Sequence, residues 1–162
     1  MGVIDDFLQH DRILVDVDVR DKDQLFQIAS ERLAAACRIS AEDILAALVR
    51  RERLGSTALG QEVAMPHASV EGLEGIRLLY MRLKRPCFFD DGAGSRVVHA
   101  LFIIVPAPAN QTHLDILAEA AGLFSQAEFQ KALRQCDQAD QVREAFRRWN
   151  ERNPALSDRD AH

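Results

Sequence analysis

Residues 97–105 read Val-Val-His-Ala-Leu-Phe-Ile-Ile-Val. A run this apolar and this rich in β-branched side chains is the signature of a strand covered on both faces. Such a strand has to lie in the middle of a sheet with a further layer above and below it. A chain of 162 residues has room for one such core. The longest apolar run, Ala100 to Ala107, is interrupted by Pro106 and is far shorter than a membrane span.

The remaining pattern supplies the layers. Residues 12–17 and 76–84 read as further strands, the second ended by Pro86. Asp21-Lys22-Asp23-Gln24 has the form of a capping box and opens a helix to about residue 38, with Leu25, Ile28, Ala29, Leu33 and Ala36 at helical spacing. Ser40 opens a second helix in the same manner, with Ile44, Leu45, Ala47 and Leu48 on its apolar face and Gly55 as its stop. Ile4, Phe7 and Leu8 form a short docked turn. Residues 68–75 are expected to be a loop, residues 90–94 a turn, and residues 106–110 a stiff extended connection. Thr112-His113-Leu114-Asp115 has the pattern of another capping start, followed by the stripe Leu114, Leu117, Ala121 and Phe124. Two more helical stretches, about 126–135 and 139–150, close the chain. The expected fold is α/β: a single domain over residues 1–150 with a mixed β-sheet sandwiched between α-helices. Residues 151–162 are expected to be a polar, frayed tail.

The formal net charge is −5, with no long basic run, which argues against nucleic acid as a partner. The first eleven residues lack the basic start and apolar core of a secretory signal, so the expected compartment is the cytoplasm, without membrane insertion. Cys37, Cys87 and Cys136 form no CxxC and read as buried thiols.

The chemistry concentrates in residues 51–67, Arg-Glu-Arg-Leu-Gly-Ser-Thr-Ala-Leu-Gly-Gln-Glu-Val-Ala-Met-Pro-His. The stretch runs from the charged end of a helix, through a Gly- and hydroxyl-rich turn, into a short strand that stops at Pro66. Proline fixes its own φ and holds Met65 extended, so His67 leaves in a set direction. An imidazole with an unperturbed pKa of about 6.5 is largely neutral and nucleophilic near pH 7. Were it to attack phosphorus, the new charge would need holding. Arg51 offers a planar cationic fork, Ser56 and Thr57 offer hydroxyl donors, and His113 sits at a helix start that favours an anion.

Blander readings apply to other residues. His99 lies inside the apolar strand and reads as a satisfied core histidine; His10 and His162 read as solvent-exposed. Arg51 and Glu52 taken alone fit a solvated helix end. The glycine spacing of residues 55–60 resembles a P-loop, but Gln61 and Glu62 stand where Lys and Ser/Thr are required. A metal site drawn from His67, His113, His99 and Asp115 lacks any tight ligand spacing.

Arg51-Glu52, Gly55-Ser56-Thr57, Leu59-Gly60 and Ala64-Met65-Pro66-His67 together resemble the signature of the IIA components of the bacterial sugar phosphotransferase system, in the fructose–mannitol group that includes the nitrogen-regulatory IIA proteins. His113-Leu114 with Leu117 matches a second family element. The resemblance covers about residues 4–146. It implies that His67 accepts a phosphoryl group from the phosphohistidine of HPr or its nitrogen-branch homologue, usually on Nε2, with Arg51 and His113 beside it. It implies the family's mixed sheet flanked by helices, and no cofactor, metal or nucleotide. The chain departs from the pattern at Ala58, where Gly is frequent, at Met65, where a β-branched residue is usual, and at Ser69, where many members have Arg or Lys.

No transport domain, IIB-like cysteine motif or HPr-like domain is evident. The reading most like this chain is the nitrogen-regulatory type, a phosphocarrier whose charge state controls target proteins. The alternatives are a sugar-specific IIA passing phosphate to a IIB cysteine, and a non-catalytic interaction module on the same scaffold.

Overall fold

A computed structural model of the chain describes residues 4, 8, 12–90 and 96–151. Phe7, His10, all but Asp90 of the turn expected at 90–94, and residues 152–162 of the expected tail, His162 included, lie outside the described residues, while Glu151, expected in the tail, closes the last helix. In chain order the elements are β1 (Ile13–Val17), α1 (Lys22–Ala35), α2 (Ala41–Leu54), β2 (Ala58–Gly60), β3 (Val63–Ala64), β4 (His67–Val70), β5 (Arg77–Phe88), β6 (Arg96–Pro106), α3 (Gln111–Phe124), α4 (Ala127–Arg134) and α5 (Ala139–Glu151).

The sheet is mixed. Its order is β1-β5-β6-β3-β2, with β4 also paired to β6. β1 runs parallel to β5, β5 antiparallel to β6, β6 parallel to both β3 and β4, and β2 antiparallel to β3. The apolar run at 97–105 is therefore the inner strand, and its side chains divide by alternation. Leu101 and Ile103 join Tyr80, Phe124, Phe129 and Phe146 on one face. Ala100, Phe102 and Ile104 join Leu25, Leu33, Ile44 and Leu48 on the other. Helices α3, α4 and α5 cover the first face, α1 and α2 the second. Ile4 and Leu8, both fully buried, dock into the first core.

Local capping sets the helix starts. Asp21 accepts from the Gln24 N–H, and Gln24 reaches back past the N-cap to the N–H of Arg20, one residue beyond the Asp21 N–H of the expected box. Ser40 accepts from the Asp43 N–H, and Gly55 closes α2. Helix α1 ends at Ala35, three residues before the expected boundary.

Four expectations are corrected. Residues 68–70 of the loop expected at 68–75 are strand, continuing from His67, because β6 offers them a free edge to pair with. Strand β5 continues through Pro86 to Phe88: the pairing with β6 shifts register between Arg82 and Cys87, and a bulge is where a sheet tolerates a residue without an N–H. Helix α3 is capped by Asn110, two residues before the Thr112 start. Cys37 is half-buried, whereas Cys87 and Cys136 are buried. Ala58 has no positive φ; in the β2–β3 turn that conformation falls on Gly60, Gln61 and Glu62.

Candidate active site

β3 and β4 are two pieces of one strand. Val63 pairs with His99 and Ala64 with Ala100; His67 pairs with Ile103 and Ala68 with Ile104, the same register on both sides of Pro66. Proline has no N–H to offer, so the ladder lapses at residues 65–66. The Pro66 carbonyl still accepts from the Ile103 N–H at 3.0 Å. His67 thus opens the second piece, half-buried, on a strand whose outer edge has no strand beside it among the described residues.

Two helix ends flank that edge. Ile44 and Leu48 bury one side of α2 against the sheet, while Ala47, Arg50, Arg51 and Leu54, at i, i+3, i+4 and i+7, face the space beside His67. Arg51 lies in the last turn, where a cation suits the helix dipole. Its Nη1 donates to the Gly55 carbonyl at 2.9 Å, tying the guanidinium to the chain just past the helix. From the other side comes the first turn of α3. Asn110 accepts from the His113 N–H through its side chain, and the Asn110 N–H donates to His113 Nδ1 at 3.0 Å. His113 is buried and belongs to the capping box itself.

These elements enclose a cavity of about 360 Å³ lined by His67, Arg51 and His113 together with Arg50, Ser69, and the apolar side chains of Leu54, Leu114 and Leu117 among others. No carboxylate lines it. Leu54 and Leu114 stand at its rim, 83% and 57% exposed. The two imidazoles are held in opposite tautomers. Nδ1 of His67 lies 2.9 Å from the Met65 carbonyl, which can only accept, so Nδ1 carries the proton and Nε2 of the neutral ring bears the lone pair. Nδ1 of His113 accepts, so its proton sits on Nε2. A nucleophilic nitrogen and a ring N–H donor therefore share one cavity with a guanidinium.

Not every expected site residue is there. Ser56 is exposed, and its Oγ accepts from the Ala58 N–H. Thr57 is buried, and its hydroxyl donates to Glu52 Oε1 at 2.6 Å. Neither lines the cavity, and the Thr57 hydroxyl is already engaged by a carboxylate, so it is not a free donor for an anion. His99 is fully buried on β6, with Nδ1 2.7 Å from the Tyr80 hydroxyl. Its Nε2 has no partner, so the satisfied core histidine expected is satisfied at one nitrogen only. Burial first, then the charges of Arg134 and Arg82, lower its pKa to about 4. Asp115 is exposed and accepts from Gln111. Among the described residues no three His, Cys, Asp or Glu side chains converge on a point where they could hold a metal, and no helix is long and apolar enough to cross a membrane.

Three groups that line the cavity or hold its imidazoles were not read from the sequence: Arg50, the Asn110 cap and the Met65 carbonyl. The i, i+3, i+4, i+7 spacing of 47, 50, 51 and 54 is a signal that places Arg50 on the same helix face as Arg51. An Asn three residues before a His at a helix start is a signal for the cap. Nothing in the sequence marks a backbone carbonyl.

Residues 6–149 match the family described as "Phosphoenolpyruvate-dependent sugar phosphotransferase system, EIIA 2". A nitrogen regulatory protein of Bradyrhizobium diazoefficiens is 33% identical over 131 residues, 81% of this chain and 86% of that protein. The crystal structure of the nitrogen regulatory protein IIA-Ntr from Neisseria meningitidis superposes with a TM-score of 0.84 at 33% identity, covering 89% of this chain and 99% of that one. The mannitol IIA of Escherichia coli, solved in complex with its phosphorylated IIB, shares the fold at 17% identity, with a TM-score of 0.74 and coverage of 85% and 95%. The family match runs from before β1 into α5 and takes in the whole sheet and the cavity, and the chain belongs to the EIIA type-2 family of the phosphoenolpyruvate-dependent phosphotransferase system.

Proposed function

We propose that the chain is a phosphocarrier that takes a phosphoryl group on Nε2 of His67 from the phosphohistidine of an HPr-type protein, and that the resulting charge regulates target proteins in the manner of the nitrogen-regulatory IIA proteins. The observation that carries this reading is the orientation of His67. Its proton is held on Nδ1 by the Met65 carbonyl, which leaves the lone pair on Nε2, and the ring lines a cavity with Arg51 and His113.

In the transfer, the Nε2 lone pair attacks phosphorus while the bond from phosphorus to the donor's imidazole nitrogen breaks. That electron pair returns to the donor ring. Nδ1 of His67 keeps its proton, and the Met65 carbonyl stabilises the positive charge that the ring gains as the new bond forms. Arg51 and the Nε2–H of His113 hold the phosphoryl oxygens. The group arrives activated on nitrogen, so positioning and charge stabilisation suffice. The exposed Leu54 and Leu114 at the rim give a protein donor an apolar surface to dock on transiently. The regulatory form is preferred because the relatives at 30% identity or more are named nitrogen regulatory proteins.

The test is intact mass after incubation with Enzyme I, an HPr-type donor and phosphoenolpyruvate. Wild type should gain one acid-labile, base-stable phosphoryl group, and His67→Ala should gain none. Labelling retained by His67→Ala would move the acceptor elsewhere, and an unlabelled wild type would leave an interaction module. Rapid onward transfer to a IIB cysteine would favour the sugar-uptake form.

A further inference from the structure

We infer that Arg50 is a second phosphoryl-binding residue, supplying from α2 the positive charge that Arg51 alone leaves short. The inference rests on the proposed role of His67 and deepens it. A phosphoryl group carries close to two negative charges near pH 7. Across from it the cavity offers one fixed cation in Arg51, part of whose guanidinium is occupied by the Gly55 carbonyl. His113 contributes an N–H but no fixed charge, since its Nδ1 accepts from Asn110. Ser69, two residues beyond His67 on the same side of β4, also lines the cavity and is neutral. Arg50 is the remaining cation in the lining.

Arg50 also differs from the arginines that serve the fold. Arg82 pairs with Asp16, Arg85 with Asp18, Arg96 and Arg134 with Glu62, and Arg147 with Glu144. Arg50 has no hydrogen bond or ion pair with any described residue. On its own helix the i−4, i−3, i+3 and i+4 positions are Ala46, Ala47, Arg53 and Leu54, so no acid is within reach. Three arginines at 50, 51 and 53 repel one another; their place at a helix C-terminus offsets part of that repulsion. An anion on His67 would relieve the rest. The resting cavity thus holds two guanidiniums and no carboxylate, a charge arrangement completed by a dianion.

The experiment measures phosphorylation of the full chain by two donors, the phosphorylated HPr-type protein and phosphoramidate, a small molecule with the same P–N bond and no docking surface. Arg50→Ala should slow labelling by about tenfold with both donors, the scale of one charge-assisted contact. Arg50→Lys should stay within about threefold of wild type. In the Arg50→Ala background, Ser69→Lys should restore most of the rate by presenting the charge from the strand side of the same cavity. An unchanged rate in Arg50→Ala overturns the inference. So does a loss confined to the protein donor, which would make Arg50 a docking residue, and so does a loss that Ser69→Lys does not repair. Wild type left unlabelled by both donors would instead fail the reading of His67, and the inference with it. Circular dichroism of each variant separates a folding defect from a charge effect.

Discussion

The Glu52 carboxylate accepts from Lys22 Nζ and the Thr57 N–H through Oε2, at 2.9 and 3.0 Å, and from the Thr57 hydroxyl through Oε1. Lys22 in turn donates to the Phe89 carbonyl and lies 4.6 Å from the Phe89 ring centroid. One side chain, 8% exposed, therefore ties the end of α2 to the start of α1, the end of β5 and the Ser56–Thr57 turn. Burial raises the Glu52 pKa, but the bonds from Thr57 and Lys22 outweigh it and hold the carboxyl below its ordinary value. A lowered folded-state pKa contributes stability that is present above the unfolded value and lost as pH falls through the folded one. Glu52→Gln should therefore lose about 1–2 kcal/mol at pH 7, and its urea midpoint should approach that of wild type as the pH drops below the carboxylate range. A constant gap at all pH values would mean that shape rather than charge is what Glu52 supplies. At this scale the sequence singled out His67, Arg51 and His113, and the fold brings all three to one cavity. It misplaced Thr57 and read Glu52 as compatible with a solvated helix end. Whether a hydroxyl faces a cavity or a carboxylate depends on how two helices and a turn pack, and no local pattern carries that.

Helix α3 presents its N-terminus to the cavity, and the capping box that starts it also fixes the tautomer of His113. Stability and chemistry are coupled through Asn110. Replacing it by Ala removes the side-chain acceptor for the His113 N–H at a cost of about 1 kcal/mol. The backbone N–H of residue 110 remains to hold Nδ1. Asn110→Ala should lower the urea midpoint and slow transfer to His67 by less than His113→Ala does. A midpoint equal to wild type would remove the cap from the stability of α3, and a loss of transfer as large as that of His113→Ala would make the cap, not the ring, the decisive group. The helices were legible because caps and 3.6-residue periodicity are local signals. Strand ends were not. Pro66 and Pro86 both read as stops, yet the strand continues beyond each. At Pro66 the carbonyl still bonds to Ile103 and register is kept; at Pro86 a bulge absorbs the missing donor. What a proline does inside a sheet is decided by the neighbouring strand, which the sequence does not display.

The molecule as a whole is two cores divided by β6, and that strand carries both the site's inner wall, through Ile103 and Val105, and a buried histidine away from the site. His99 faces the core that holds Tyr80 and Phe124, with the Tyr80 hydroxyl on Nδ1. Burial pushes the Tyr80 pKa up, so that hydroxyl stays a donor and Nδ1 its acceptor. Protonating His99 would place a charge in the core with the Tyr80 hydroxyl pointed the wrong way and Arg82 and Arg134 nearby, which is why its pKa falls to about 4 from 6.5. The unfolded chain binds the proton more readily, so between those two values stability rises with pH and is lost as pH falls. The difference corresponds to about 3 kcal/mol, fully present above pH 6.5 and gone below pH 4. Unfolding free energies measured in urea from pH 7.5 to 4 should show that decline in wild type. The double variant Tyr80→Phe, His99→Phe removes donor and acceptor together, which is close to neutral for a buried pair of matched shape. It should be about as stable as wild type near pH 7.5 and more stable near pH 5, because every other titrating group is common to both proteins. Parallel curves for the two would show that His99 does not set the acid limit of this fold.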